Sequence, residues 1–254
     1  MKFFSLASGS SGNCFFIDNG KESLMIDVGI PYNKIKEKLI SIGYDIENID
    51  YILITHDHID HIKSLNSFSM NKVYSGVKKI PGLINFINKN EEYQLGTYKI
   101  FAFPLSHDTE CCGYRITSDN ESLVYLTDTG YVNFKIKKYL ENATYYIFES
   151  NHDIDMLMNS NRPFFLKSRI LSDNGHLNNE DASETLYEVI GDNTKEIYLA
   201  HISRDCNTKE LAYKALIKTF NKHNYDYNKL KIGMLDKEEI LQGGVIYEKD
   251  TLNV

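Results

Sequence analysis

The chain has 254 residues, of which 42% are hydrophobic and 25% are charged, and its formal net charge is −7. A chain of this length can bury a sizeable core without disulfides or structural metals, so we expect any bound metal to serve chemistry. The acidic balance weighs against a generic basic nucleic-acid-binding domain, although cations held by carboxylates reverse the local sign.

The first apolar run after Met1 is too short for a signal peptide, and no run approaches the roughly 18 residues of a membrane span. The cysteines show no CxxC spacing, which predicts free thiols in a cytoplasmic protein without a membrane partner. The chain has only four prolines and no Gly/Ser/Pro-rich linker, which predicts one domain over residues 1–254. The four cysteines are Cys14, Cys111, Cys112 and Cys206.

Three short apolar segments near the N-terminus predict antiparallel strands: "KFFSLA", "NCFFIDN" and "SLMIDVG". A helix is predicted in "PYNKIKEKLISIG", because Pro31 suits its first turn, apolar residues follow at helical spacing, and Gly43 suits its end. The near-continuous apolar run "IDYILITH" then predicts a strand buried on both faces.

The remaining chain alternates strand and helix patterns, which predicts an α/β (α+β) fold with sheets packed between helical layers. The predicted strands are "KVYSG", "YKIFAFPLSH", the hairpin "GYRITSDNESLVYLTD", "ATYYIFES", "EIYLAHIS" and "KIGMLD". The predicted helices are "IPGLINFINKN", "VNFKIKKYL", a segment near Glu180–Ile190 and a segment near Lys209–Lys222.

Polar residues gather at the ends of these strands, where layered α/β folds commonly place functional groups. The residues at or just past the C-terminal end of a predicted strand are His56, His107, Asp128, Glu149 and His201.

The segment "THDHIDH" carries the strongest chemical pattern. His56 and His58 are two positions apart and point the same way in an extended segment, while Asp60 and His61 follow at a turn. Imidazole and carboxylate are ligands of zinc and similar ions, so the spacing predicts two ions about 3.5–4 Å apart with a hydroxide between them. A His-rich charged turn is the weaker interpretation, since the whole chain has only eight histidines.

A metal pair needs more ligands than this segment supplies. His107 and His201 stand at strand-to-loop junctions, and Asp128 leaves an apolar strand where a short carboxylate could bridge two ions. Taken singly, each would be an ordinary surface or core residue, but "THDHIDH" makes all three candidate ligands.

"HDHIDH" resembles the HxHxDH signature of the metallo-β-lactamase superfamily, and "MIDVG", "PLSH", "LTDTG" and "AHIS" follow the order of that family's motifs. The resemblance implies a four-layer αββα sandwich with two divalent metal ions at one edge, for which zinc, manganese and iron are all suitable. It implies that Asp27 is a buried support. The implied ligands are His56, His58 and His107 for one metal, Asp60, His61 and His201 for the other, and Asp128 as the bridge.

"FESNHD" and "SDNGHLNNEDA" resemble the phosphodiesterase branch, including ribonuclease Z. His58 stands where flavodiiron oxidoreductases carry Glu, which favours hydrolysis. The resemblance implies that His176, backed by Glu149, contacts the scissile phosphate, and an imidazole there could protonate the leaving oxygen. The alternative for His176 is a helix N-terminal residue without an active-site role.

"ASGSSGNCFFI", "ESNHD", "SDNGHLNNEDA" and "LAHISRDCN" together resemble the YycJ/WalJ-like group of single-domain exonucleases acting on DNA, with "NGHLNN" where "GHLSN" is usual. This implies a 5′-to-3′ exonuclease in which Asp60 orients the hydroxide and can accept its proton. A small cyclic phosphodiesterase, a thiolesterase and a metal-stabilised binding protein without activity stay open as alternatives.

Three features have no settled role in the sequence. Residues 129–200 leave no room for the insertion of β-CASP nucleases, so this chain must grip nucleic acid with its own loops or with a partner chain. The loop Ala7–Asn13 suits either a phosphate or a plain hairpin turn. His152 in "SNHD" fits a structural role, a hydrogen bond behind the site or a substrate contact.

Overall fold

The computed structural model describes residues 1–244, so positions 245–254 of the predicted domain lie outside the described residues. The strands of the first sheet are β1 (Lys2–Ala7), β2 (Cys14–Asp18), β3 (Ser23–Ile26), β4 (Tyr51–Ile54), β5 (Val73–Ser75), β6 (Asn85–Phe86) and β14 (Leu241–Gly244). Those of the second are β7 (Glu92–Leu95), β8 (Tyr98–Leu105), β9 (Cys111–Ser118), β10 (Glu121–Leu126), β11 (Tyr145–Glu149), β12 (Glu196–Ala200) and β13 (Lys231–Met234).

The α-helices are α1 (Tyr32–Ser41), α2 (Ile59–Ile62), α3 (Phe134–Leu140), α4 (Ile154–Asn159), α5 (Phe164–Ile170), α6 (Asn179–Val189) and α7 (Lys209–Lys222). None of these described helices is both long and apolar enough to cross a lipid bilayer.

The two sheets share one design, in which antiparallel strands give way to parallel strands. The first sheet has the order β14-β1-β2-β3-β4-β5-β6, antiparallel up to β3 and parallel from there. The second has the order β13-β12-β11-β10-β9-β8-β7, parallel up to β10 and antiparallel beyond it. The parallel strands all end at one edge, and that edge carries the functional side chains described below.

Alternating side chains build the layers. On β1, Phe3 points between the sheets and packs edge-on against Tyr145 and Tyr198 of the second sheet, at ring distances of 5.2 and 5.5 Å. Its neighbour Phe4 points the other way and packs with Phe16, on the face that α1 covers. This period-two alternation places an aromatic core between two sheets that helices flank.

The second sheet shows the same alternation on its helical side. Tyr146 and Phe148 of β11 belong to an outer core that Leu186 of α6 and Leu216 of α7 complete, whereas Ile147 between them faces the first sheet. The predicted arrangement of two sheets between helical layers is therefore confirmed.

One predicted helix is wrong. The segment "IPGLINFINKN" forms a turn and the edge strand β6, because Gly82 adopts a left-handed conformation (φ 72°) just after Pro81. The Asn85 side chain then donates to the carbonyls of Met70, Asn71 and Val73, which ties the segment alongside β5. Short elements without a clear pattern were missed altogether: β7, β14, α4 and α5.

Candidate metal centre

The candidate site lies where the strand ends of both sheets meet. His56 follows β4 in the first sheet, while His107, Asp128 and His201 follow β8, β10 and β12 in the second. Helix α2 begins directly after His58 and brings Asp60 and His61 into the same place. As predicted, polar groups from distant parts of the sequence converge at one edge.

All seven predicted metal ligands fall into compact groups. Within each group, one donor atom per residue lies within 4.8 Å of the others. The groups are His56, His58 and His107; Asp60, His61 and His201; His56, His61 and Asp128; and a fourth in which Asp128 and His201 join Glu149 and His176. Asp128 therefore shares a group with residues of both predicted metal sets, which is the position that a bridging carboxylate requires.

Orphaned polar atoms show that this cluster fits a cation. Nε2 of His56 and Nε2 of His201 are buried without a hydrogen-bond partner among the described residues, and the buried Oδ2 of Asp128 makes no well-aligned hydrogen bond, with Nε2 of His61 3.2 Å away. Such groups are costly to bury unless something binds them. Neutral imidazole and carboxylate donors are suitable ligands for zinc, manganese or iron.

Hydrogen bonds behind the ligands select the nitrogens that face the centre. Oδ2 of Asp27 lies 2.7 Å from Nδ1 of His61, and both side chains are fully buried. The Thr55 hydroxyl lies 3.0 Å from Nδ1 of His56 and donates to Asp27. With Nδ1 engaged, Nε2 of each histidine is left to bind a metal, and such partners normally fix the tautomer and ring orientation.

The loop Ala7–Asn13 supports the signature segment. The backbone N–H of Asn13 donates to the Asp60 carbonyl (2.8 Å), and its side-chain amide lies 3.0 Å from Nε2 of His61. A bound ion would replace this second contact. The N–H groups of Gly9 and Gly12 are used inside the loop, so its hairpin-turn character dominates, although Ser10 lines the metal pocket.

Glu149 contacts two histidines at once. Its Oε1 lies 2.7 Å from Nδ1 of His176 and 3.0 Å from Nδ1 of His201, while its Oε2 accepts from the Thr129 N–H. The sequence predicted the first contact and missed the second. The side chain of His176 is only partly buried and lines the pocket.

Electrostatics favour ligand-competent protonation states at Asp128 and His56 only. Burial opposes the ionisation of Asp128, but the imidazoles of His201 and His61 outweigh it and hold its pKa well below the usual range. Burial, reinforced by His61, holds the pKa of His56 well below the usual value and leaves a free lone pair. Burial opposes protonation of His61 and His201, but nearby carboxylates outweigh it and raise the pKa of both, that of His201 to about 9, so each would lose a proton on binding a metal. Burial also opposes ionisation of Glu149, but His176 and His201 lower its pKa to about 2.

Three site residues adopt left-handed backbone conformations, with φ of 59° at Asp27, 62° at Asp128 and 53° at His201. Non-glycine residues seldom adopt this conformation, and such positions cluster at functional sites. Each of the three follows a strand directly or by one residue, so the turn redirects the chain and aims the side chain into the cluster.

The pocket has a volume of about 210 Å³, and its lining includes two charged residues that the sequence did not single out. Oδ1 of Asp108 lies 3.3 Å from Nε2 of His58 and 3.4 Å from Nε2 of His107. The guanidinium of Arg169 donates to Asp108 at 3.0 Å. The available signal was the carboxylate next to His107 in "FPLSHD"; nothing local marked Arg169.

His152 lies outside the metal groups. It is 1% exposed, and neither of its ring nitrogens has a hydrogen-bond partner among the described residues. Its backbone carbonyl accepts from the Asn179 N–H. Burial lowers its pKa to about 4, so the ring is neutral at pH 7. This burial excludes a direct substrate contact in the present conformation and favours the structural role.

A family model described as "Beta-lactamase superfamily domain" matches residues 33–202, which is more than half of the chain and contains all seven predicted ligands. The chain belongs to the metallo-β-lactamase superfamily. Two curated relatives match over most of their length. One, named "Exodeoxyribonuclease WalJ", from Streptococcus pneumoniae, is 38% identical over 233 residues and covers 85% of this chain and 87% of the relative.

The second relative of this metallo-β-lactamase chain is named "Exodeoxyribonuclease YycJ" and comes from Bacillus anthracis. It is 37% identical over 227 residues, covering 84% of this chain and 86% of the relative. Among solved structures, the metallo-β-lactamase fold protein YhfI from Bacillus subtilis superposes with a TM-score of 0.70 at 17% identity, covering 95% of this chain and 99% of that one. Human tRNase Z, short form, reaches a TM-score of 0.63 at 13% identity, with 95% and 98% covered. These structures share the fold.

Proposed function

We propose that this chain is a DNA exonuclease that hydrolyses phosphodiester bonds with two divalent metal ions. The observation that carries the proposal is the Glu149–His176 contact of 2.7 Å at the wall of the metal pocket. It adds a hydrogen-bond donor suited to phosphate to an otherwise general hydrolytic ligand set. The two relatives named exodeoxyribonucleases support the choice of DNA.

The proposed metal sites use the predicted ligands: His56, His58 and His107 for one ion, Asp60, His61 and His201 for the other, and Asp128 between them. When bound, two divalent ions lower the pKa of water towards neutrality and withdraw charge from the phosphate oxygens. Zinc, manganese and iron all suit these ligands.

The chain's own residues orient substrate and move protons. Asp60 is a wall residue of the pocket and orients the attacking water, whose proton its carboxylate accepts. With Nδ1 of His176 on Glu149, Nε2 is the nitrogen available to substrate. His176 then stabilises charge on the phosphate and donates a proton to the leaving oxygen.

We further propose that residues 1–254 act as one cytoplasmic domain without an inserted nucleic-acid-binding domain. Positions 129–200 are occupied by α3, β11, α4, α5, α6 and β12, which supports the absence of a β-CASP insertion. The four cysteines are buried and unpaired, in keeping with a reducing compartment.

The test is a time course on end-labelled DNA with Mn²⁺ or Zn²⁺, alongside RNA, bis(p-nitrophenyl) phosphate, a cyclic dinucleotide and a thioester. We expect progressive release of nucleotides from DNA, and the labelled end reports whether digestion runs 5′ to 3′. Faster turnover of RNA, the cyclic dinucleotide or the thioester would refute the proposed substrate, and no turnover of any of them would refute an enzymatic role.

Two substitutions test the site. Asp60→Ala and Asp128→Ala should each abolish DNA hydrolysis while the far-ultraviolet circular dichroism spectrum stays unchanged. Asp119→Asn is a matched control, because Asp119 is exposed and remote from the pocket and Asn tolerates its left-handed backbone. Full turnover by metal-loaded Asp128→Ala protein would contradict the dinuclear centre.

A further inference from the structure

A groove beside α3 lies next to the metal pocket and has no part in the chemistry described above. Its volume is about 690 Å³, and its lining residues include Ser106, Tyr131, Phe134, Lys135, Lys138 and Tyr139. We name it the α3 groove. It combines three aromatic rings with two lysines.

The α3 groove adjoins the metal pocket directly. Ser106 lines the groove and precedes the predicted ligand His107, while Asn174 lines the metal pocket, and these two side chains share a hydrogen bond of 3.1 Å. The N–H of Gly130 donates to the Ser106 carbonyl (2.9 Å), and Gly130 stands two positions after Asp128. A polymer leaving the metal pocket on this side therefore enters the groove next.

The aromatic rings of the groove are available to a ligand. Phe134 is 75% exposed and Tyr131 is 42% exposed, whereas five other tyrosines rank among the fully buried core side chains. Helix α3 buries Ile136 and Leu140, so its amphipathic pattern does not require an exposed phenylalanine. Exposed aromatic faces in a groove are suited to stacking on unpaired bases.

The lysines of the groove are free to meet phosphate. Lys137 pairs with Glu188, but no carboxylate of residues 1–244 lies within ion-pair distance of Lys135 or Lys138. The chain has a net charge of −7, but these two lysines give the groove a local positive charge, and Nζ of Lys138 lies 4.6 Å from the centre of the Tyr139 ring. The positive charge of the groove is complementary to a polyanion.

A second cavity extends the same path. It has a volume of about 420 Å³, shares Lys138 and Tyr139 with the α3 groove, and adds Phe101, Lys99 and Arg115. The ring of Tyr139 packs on that of Phe101 with their centroids 4.3 Å apart. Glu92 and Glu141 also line this cavity, and Glu92 pairs with Lys99, so the aromatic lining continues away from the metal pocket but the excess of positive charge does not.

We propose that the α3 groove holds a single unpaired DNA strand and leads it to the metal pocket, with bases on Tyr131 and Phe134 and phosphates on Lys135 and Lys138. Only an unpaired strand suits this lining. In a duplex the faces of the bases are stacked on one another, so aromatic side chains cannot reach them. This inference rests on the proposed exonuclease function and adds the form of the substrate and the path it takes.

Binding is measured without turnover, by fluorescence anisotropy of a short single-stranded oligonucleotide in EDTA. Phe134→Ser should weaken binding about 5- to 100-fold, the range expected when one base no longer stacks on an aromatic ring. It should also remove the quenching of a 2-aminopurine base that stacks on the ring. The salt dependence should stay as in the wild type, because no charge has changed.

Lys135→Glu with Lys138→Glu should weaken binding at least tenfold and flatten its salt dependence. The slope of log K against log salt should change by about 0.7 for each phosphate that a lysine no longer neutralises. A purely structural role of the lysines would not change that slope. The matched control is Tyr213→Ser with Lys214→Glu and Lys218→Glu on α7, another exposed aromatic with two lysines, which should bind as the wild type does.

The outcomes separate the two proposals. Wild-type affinity in both groove variants, or equal losses in the α7 control, would overturn the strand path and leave exonuclease activity standing. Tighter binding of blunt duplex than of single strand by the wild type would also overturn it. If the wild-type protein degrades no DNA with any metal, the proposed function itself fails, whatever the groove variants do.

Discussion

Oδ2 of Asp27 lies 2.7 Å from Nδ1 of His61, and neither side chain reaches solvent. The two residues follow neighbouring parallel strands of the first sheet: Asp27 comes just after β3, and His61 lies in the helix after β4. The contact turns Nε2 of His61 towards Asp128, 3.2 Å from its Oδ2. Asp27 therefore acts on the centre through His61.

Asp27→Asn should lower metal affinity about 10- to 100-fold, the usual effect of removing a carboxylate behind a histidine ligand. An amide can donate to Nδ1, which would select the tautomer with its proton on Nε2 and block the metal-facing nitrogen. Zinc or manganese affinity is measured by competition with a chromophoric chelator. Asp119→Asn serves as control, and equal affinities in the two variants would show that Asp27 does not orient His61.

Glu149→Gln should weaken metal binding as well as turnover, whereas His176→Ala should lower turnover alone, by about 10²- to 10⁴-fold. The difference follows from the shared oxygen, since Oε1 of Glu149 contacts both His176 and the predicted ligand His201. Metal titration and turnover at saturating metal separate the two effects.

Glu180→Gln, at an exposed position of α6, provides the control for Glu149→Gln. Wild-type metal affinity in Glu149→Gln would show that the Glu149 carboxylate acts only on His176 and not on metal binding through His201. Wild-type turnover in His176→Ala would make His176 a structural residue and remove the main support for phosphate as the reacting group.

Gly29→Ala should destabilise the loop beneath Asp60. A Cβ at Gly29 would lie 1.6 Å from the Asp60 carbonyl oxygen and 2.8 Å from the Asn13 nitrogen, so the backbone of the signature segment would have to move. We expect the unfolding free energy to fall by about 1–3 kcal/mol or more, as in other overpacked sites, and metal affinity to fall with it.

Gly20→Ala separates loop displacement from general destabilisation. Gly20 has no atom within 4 Å of an added Cβ, but its φ of 82° strains an alanine by about 1–2 kcal/mol. That variant should lose stability in urea and keep its metal affinity. If Gly29→Ala also binds metal as the wild type does, the signature segment does not depend on this close packing.

Local pattern was sufficient for much of the fold and for the strand-end positions of the predicted ligands. Helix α7 spans Lys209–Lys222 as its periodicity predicted, and the strand-end positions of His107, Asp128 and His201 follow from apolar runs that stop at a polar residue. The spacing within "THDHIDH" predicts which side chains lie near one another, because the geometry of an extended segment and of a turn is set locally. These features need no knowledge of distant contacts.

Contacts between distant segments were beyond a single sequence. Thr55 and Asn13 are ordinary polar residues whose partners are known only once the strands are placed. The left-handed backbone at Asp128 has no composition signal, and β14 pairs with β1 from the far end of the described chain. The second contact of Glu149, with His201, depends on adjacent strands β11 and β12 and could not be inferred from either motif.

The unfolding free energy should decrease as the pH is lowered, partly because of His152. Burial lowers its pKa to about 4 in the folded chain, against about 6.5 in the unfolded chain, so between these values only the unfolded state takes up the proton. Stability is therefore complete above pH 6.5 and declines as the pH falls towards 4. Between pH 7.5 and pH 5, the wild type should lose about 2 kcal/mol more than His152→Leu, which has no proton to gain. Urea denaturation in EDTA at constant ionic strength measures the unfolding free energy of both proteins against pH without a contribution from metal release. Parallel curves would show that His152 takes up its proton equally well in the folded chain.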